Sequence, residues 1–193
     1  AHQFVAGATS CESEELSVGG LDQVAAAFGE KCYEVPVGFK YVSAKMVETG
    51  AIIGGESSGG LTVRGHIQGK DGIYAAALLV EAIAKTGRRL SALWDEITQK
   101  YGAAEMAEHD FHFSSAERTR IFKLLMEDKQ LPEFPCEIAK VSYMDGCKVY
   151  FKNGGWVIAR FSGTEPLLRV FCEMDTMENA EKIAKILTEF LSL

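Results

Sequence analysis

This chain has no run of about 18 apolar residues, so nothing in it reads as a membrane-spanning helix. No basic region followed by an apolar stretch stands at its start, so no secretory leader is visible. Positive charge is in the minority: 20 Lys and Arg stand against 27 Asp and Glu, a formal net charge of −7. A protein that binds mainly a nucleic-acid backbone needs a basic face, so no nucleic acid is expected as partner, although a local basic pocket is compatible with an acidic whole. Cysteine is sparse. Cys11, Cys32, Cys136, Cys147 and Cys172 are odd in number, widely spaced and without a CxxC pair. This predicts reduced thiols in a cytoplasm and no zinc site. The close pair His109 and His112 has neither an HExxH pattern nor a third ligand nearby, so no metal is expected there. Repeats and low-complexity tracts are also absent.

What is present is material for a core. Hydrophobic residues make up 47% of 193 positions, enough for one large domain or two small ones. Residues 1–20 lack periodicity and read as an irregular start. Residues 21–28 read as a short helix closed by Gly29, "KCYEVPVGFKYV" as a strand broken near Pro36, and residues 43–49 as a helix stopped by Gly50. Ile52 and Ile53 form a short buried strand that runs into "GGESSGG". The helix that follows Asp71-Gly72, "IYAAALLVEAIAK", is apolar on nearly every side and is expected to lie buried against a sheet. The next helix sets Leu93, Ile97 and Tyr101 on one face and closes at Gly102. This alternation predicts an α/β domain over 1–102.

Residues 103–193 read differently. Ser114 and Glu117 form a capping box ahead of a helix with Ile121, Leu124 and Leu125. Turn signals at Asp145-Gly146 and Asn153-Gly154 separate the strands "KVSYM", "CKVYF" and "WVIARF", and "LLRVFCEM" makes a fourth. A last helix from near Asp175 buries Met177, Ala180, Ile183, Ala184, Leu187 and Phe190 or Leu191. The second domain is therefore α+β, an antiparallel sheet with helices on one face.

Four polar stretches carry the chemistry. In "RFSGTEP", Ser162, Gly163 and Thr164 offer backbone N–H groups and hydroxyls to an anion, and Gly163 lets the main chain come close and take positive φ. Arg160 and Arg169 flank this turn and would repel each other without an anion between them. An ordinary hairpin with solvent-directed arginines explains the same residues equally well. In "GGESSGG", Glu56 and Ser58 suit the vicinal hydroxyls of a sugar, while a mobile surface loop is the plainer account. In "VGFKY", Phe39 offers a stacking face and Lys40 a cation, or both simply end a strand. In "RGHIQGKDG", His66, Lys70 and Asp71 cluster before a helix that Asp71 caps; His66 is a phosphate donor, a proton shuttle or a structural histidine.

Taken in this order, "VPVGFKYV", "GGESSGG", "GHIQGKDG" and "RFSGTEPLLRV" resemble the α-D-phosphohexomutases, the family of phosphoglucomutase and phosphomannomutase. The resemblance covers residues 20–193, and the combination is more specific than any one motif. It implies that 1–102 is the third of the family's four domains, N-terminally incomplete, and 103–193 the fourth, likened to the TATA-binding-protein fold. It assigns sugar contacts to Glu56 and Ser58 with Gly38, Phe39 and Lys40. It assigns a distal-phosphate clamp to Arg160, Ser162, Gly163 and Thr164, with Arg169 beside them. His66 and Lys70 lie near the cleft.

The departures are as informative. The family's phosphoserine loop of "SHNP" type and its D-x-D-x-D magnesium loop do not occur here. Phosphoryl transfer needs an activated donor and a cation, and no stretch is available for either. The resemblance therefore implies the substrate-gripping part of a mutase, a shortened piece or a partial gene product, with no catalytic residue, metal or cofactor of its own. It would bind phosphosugar weakly and turn nothing over. Its partners would be glucose or mannose phosphates and the missing N-terminal domains of the same protein. The parent enzyme would need Mg2+ and would interconvert hexose 1-phosphate and hexose 6-phosphate through a bisphosphate. The loop "GGESSGG" lacks the terminal histidine of some relatives, which favours glucose. Hinge movement is expected near Gly102. A non-catalytic phosphosugar-binding module and a purely structural protein remain as rivals.

Overall fold

The computed structural model describes residues 3–8, 20–56, 59–163 and 165–193. The chain divides into two compact units, Ala1–Gly102 and Ala103–Leu193. Among the described residues no helix is long and apolar enough to cross a membrane.

The first unit runs β1 (Gln3–Ala8), α1 (Gly20–Ala27), β2 (Lys31–Glu34), α2 (Phe39–Thr49), β3 (Ile53–Glu56), β4 (Leu61–Val63), α3 (Gly72–Thr86) and α4 (Leu90–Tyr101). Strands and helices alternate as the composition demands, and the sheet has order β2-β1-β3-β4 with every pairing antiparallel. Helix α2 lies across β1 and β3. Its inward residues Val42 and Met46 join Val35 and Ala51 in a small core, with Tyr33 and Phe39 packed against it.

Three expectations need correction here. Gln3–Ala8 is a strand, not irregular: pairing with β2 on one side and β3 on the other outweighs a weak local pattern. Residues 9–19 lie outside the described residues. The second strand ends at Glu34, and Phe39, Lys40 and Tyr41 form the first turn of α2 behind Gly38, so the helix starts four residues earlier than the periodicity indicates. Most importantly, α3 buries no residue. Ile73 is 86% exposed, and Leu79 and Val80 are exposed as well. An all-round apolar helix asks for cover on every side, yet burial needs an opposing surface, and the sheet offers α3 only its edge at β4.

The second unit runs β5 (Glu105–His112), α5 (Ser115–Phe122), one π-helical turn (Lys123–Glu127), β6 (Ile138–Ser142), β7 (Cys147–Phe151), β8 (Trp156–Phe161), β9 (Leu167–Met174) and α6 (Met177–Phe190). Its five strands are antiparallel in the order β5-β9-β8-β7-β6. The capping box forms in both directions: Glu117 N–H donates to Ser114 Oγ and Ser114 N–H to the Glu117 carboxylate. One large core joins alternate residues of the sheet (Val149, Phe151, Val157, Leu168, Val170, Cys172) to Ile121, Leu125, Ile183 and Leu187. Each fully buried aliphatic side chain here contributes about 1.5–3 kcal/mol over exposure. Met177 is the exception to the expected α6 stripe, being exposed, while Leu191 is fully buried. Strand β5 was not apparent from the sequence.

Candidate functional site

The first cluster lies at the end of β3. Glu56 is the last residue of that strand, and its side chain is 6% exposed. The loop after it folds back at once: Glu56 N–H donates to the Gly60 carbonyl and Gly59 N–H to the Glu56 carbonyl. Glu56 Oε2 accepts from Lys70 Nζ at 2.6 Å, and the same ammonium lies 5.9 Å from the Phe39 ring centroid. Gly60 leaves room for this pair. A Cβ there would stand 2.8 Å from Glu56 Oε2 and 3.1 Å from Lys70 Cδ. Glu56, Phe39 and Lys70 are thus brought together from the end of β3, the first turn of α2 and the segment before α3. Lys40 is not; its ammonium stands over the Tyr41 ring at 4.9 Å. Gly38 is the N-cap residue of α2. Ser58 lies outside the described residues.

His66 has a structural role. Its Nε2 is 2.8 Å from Asp71 Oδ2 and its ring stacks on Tyr74 at 4.1 Å. Asp71 Oδ1 accepts from Tyr74 N–H and caps α3. The Tyr74 hydrogen bond, then that of His66, holds the Asp71 carboxyl below its ordinary pKa of 3.8. A carboxyl depressed in the folded state stabilises above its unfolded pKa, and that stability fades as pH falls through the folded value. Asn at this position keeps a capping oxygen but cannot titrate. Asp71→Asn is therefore less stable than the parent at neutral pH, and the gap closes as pH drops below 3.8. Urea midpoints measured across pH 2–7 read this directly.

The second cluster sits where β8 turns into β9. Arg160 and Arg169 are directly opposite each other in register. Their side chains are 13% and 29% exposed. Burial lowers the Arg160 pKa first; Asp145 opposes this, and the neighbouring Arg169 lowers it further. Three carboxylates stand near but not in hydrogen-bond range: Asp145 at 3.8 Å from Arg160, and Asp110 and Glu165 at 3.9 Å and 3.6 Å from Arg169. Arg169 Nε is buried and has no hydrogen-bond partner. Two half-buried guanidiniums side by side, with donors unspent, make an arrangement that an anion completes.

The connecting loop corrects two details. Ser162 N–H donates to the Leu167 carbonyl at 2.8 Å, so it closes the hairpin and is not a donor to a ligand. Gly163 does not adopt positive φ, and a Cβ there would meet nothing. Thr164 lies outside the described residues. What sequence reasoning missed is the ring of counter-charges. Asp145 reads only as a turn residue, and Asp110 reaches Arg169 through the pairing of β5 with β9. Among the described residues no three His, Cys, Asp or Glu side chains are grouped so as to hold a metal ion.

Comparison with known proteins matches both units. Residues 14–101 match the family model "Phosphoglucomutase/phosphomannomutase, alpha/beta/alpha domain III", and residues 122–190 match that of the C-terminal domain. A phosphoglucomutase/phosphomannomutase of Thermococcus kodakarensis is 32% identical over 86% of this chain and 34% of its own length. A phosphoglucosamine mutase of Solibacter usitatus is 31% identical over 93% of this chain and 36% of its own. Among solved structures, the exocytosis-sensitive phosphoprotein parafusin of Paramecium, a phosphoglucomutase in its open form, superposes with a TM-score of 0.66 at 24% identity, over 89% of this chain and 35% of that one. The chain spans about a third of the length of the curated relatives it matches.

Proposed function

This chain belongs to the phosphoglucomutase/phosphomannomutase family, as its third and C-terminal domains, and from that premise we propose that it is the substrate-gripping part of a phosphohexomutase. The parent protein interconverts hexose 1-phosphate and hexose 6-phosphate through a bisphosphorylated sugar, with magnesium bound elsewhere than in this chain. The observation that carries this reading is the in-register pair Arg160 and Arg169, half-buried, with Arg169 Nε unspent. These guanidiniums grip the phosphate remote from the reacting one. Because either phosphate of the intermediate must be accepted, a clamp of generic anion donors suits the task. Glu56, with Ser58, accepts hydrogen bonds from sugar hydroxyls. Lys70 holds the Glu56 carboxylate in place, and Phe39 supplies an apolar face beside them. Alone, the chain binds phosphosugar weakly and turns nothing over.

Glucose is the preferred hexose on the form of the "GGESSGG" loop. A second reading, glucosamine, is supported by relatives named phosphoglucosamine mutase. Titration of the 15N-labelled chain with glucose 1-phosphate, glucosamine 1-phosphate and mannose 1-phosphate tests both. The expected result is perturbation of residues 160–169 by all three, with the tightest response to glucose 1-phosphate. Free glucose is the control. No response around Arg160 to any phosphosugar overturns the proposal.

A further inference from the structure

We infer that Glu165 is a tethered stand-in for the phosphate, a carboxylate that occupies Arg169 in the free protein and must leave when the anion arrives. The inference rests on reading Arg160 and Arg169 as the phosphate clamp. Three carboxylates stand around two guanidiniums. An incoming phosphate is repelled by each of them, and that repulsion falls if one carboxylate moves away.

Two of the three are fixed. Asp110 lies within β5 and is paired in register opposite Arg169. Asp145 rides on the β6–β7 turn, whose next residue, Gly146, is pressed against the Ala159 carbonyl and the Arg160 backbone. Glu165 differs. It belongs to the β8–β9 connection, its side chain is 57% exposed, and its Oε2 stands 3.6 Å from Arg169 Nη2, nearer than Asp110. Its contact is too long to be a hydrogen bond, so little is lost when it leaves. Its departure leaves Arg169 Nη2 to donate to a phosphate oxygen, while Nε stays buried with Asp110 Oδ1 3.9 Å away. A clamp that carries its own counter-ion holds the guanidiniums apart from solution anions and releases product readily. Glu165 thereby sets phosphate affinity without touching the bound ligand.

The test is titration with inorganic phosphate of the whole chain, its Glu165→Gln and Glu165→Ala variants, and Arg169→Ala, followed by 15N amide and arginine Hε resonances. Both Glu165 variants are expected to bind phosphate about two- to fivefold more tightly, the range an exposed ion pair spans. Unchanged or weaker binding in either Glu165 variant, with binding lost in Arg169→Ala, overturns the inference and leaves the clamp standing. Undiminished binding in Arg169→Ala, or no binding by any form, overturns the clamp and the inference with it.

Discussion

Arg160→Ala lowers phosphosugar affinity by about 2–4 kcal/mol, on the order of 30- to 1000-fold, the cost of losing a charge-assisted contact from a partly shielded site. Two effects add. The guanidinium itself goes, and Asp145, which stood 3.8 Å from it, then repels the ligand without that cation between them. Arg160→Lys restores charge but not the planar fork, so it should recover only part of the loss. Asp145→Asn in the Arg160→Ala background should recover the repulsive part alone. Isothermal titration of the chain at low ionic strength separates these contributions. Equal affinities for the parent and Arg160→Ala would falsify the clamp.

Much of this was legible in the sequence, and the reasons are local. The α6 stripe of Ala180, Ile183, Ala184 and Leu187 is buried because period and capping agree, with Thr176 accepting from Asn179 N–H at the helix start. Ser114 and Glu117 form their box because four residues suffice to specify it. Arg160 and Arg169 face each other because a short connection fixes the register between β8 and β9. The larger failures are non-local. Glu105–His112 alternates, but its outward residues are acidic and histidine, so only its pairing with β9 makes it a strand. Helix α3 looks buried because its residues are apolar, whereas burial is a property of what lies opposite. The carboxylates around the clamp come from β5, from the β6–β7 turn and from the β8–β9 loop, positions that no spacing rule connects. Ser162 has a ligand-like side chain, yet its backbone N–H closes the hairpin.

Gly146→Ala should be the most destabilising single-methyl change in the second unit. Gly146 sits at φ 92, a region that costs a side-chain-bearing residue about 1–3 kcal/mol. A Cβ there would also lie 2.5 Å from the Ala159 carbonyl oxygen and 2.9 Å from Arg160 Cα, both backbone atoms of a central strand that cannot turn aside. Overpacking of this kind adds about 1–3 kcal/mol. The sum, about 2–6 kcal/mol, corresponds to a Tm loss on the order of 10–45 °C for a unit of this size. Gly154→Ala is the matched control. It too has positive φ, at 97, but a Cβ there meets nothing, so it should cost only the backbone part, about 1–3 kcal/mol. The difference between the two variants isolates the collision. If they unfold at the same temperature, the turn is not pressed on the strand as the geometry requires. If Gly146→Ala is the weaker and its surviving folded fraction also loses phosphate binding, the β6–β7 turn and Arg160 move as one body. The residue that shapes the turn then shapes the clamp as well, because Gly146 lies against the backbone of Arg160 and Asp145, beside it in the turn, stands 3.8 Å from the guanidinium.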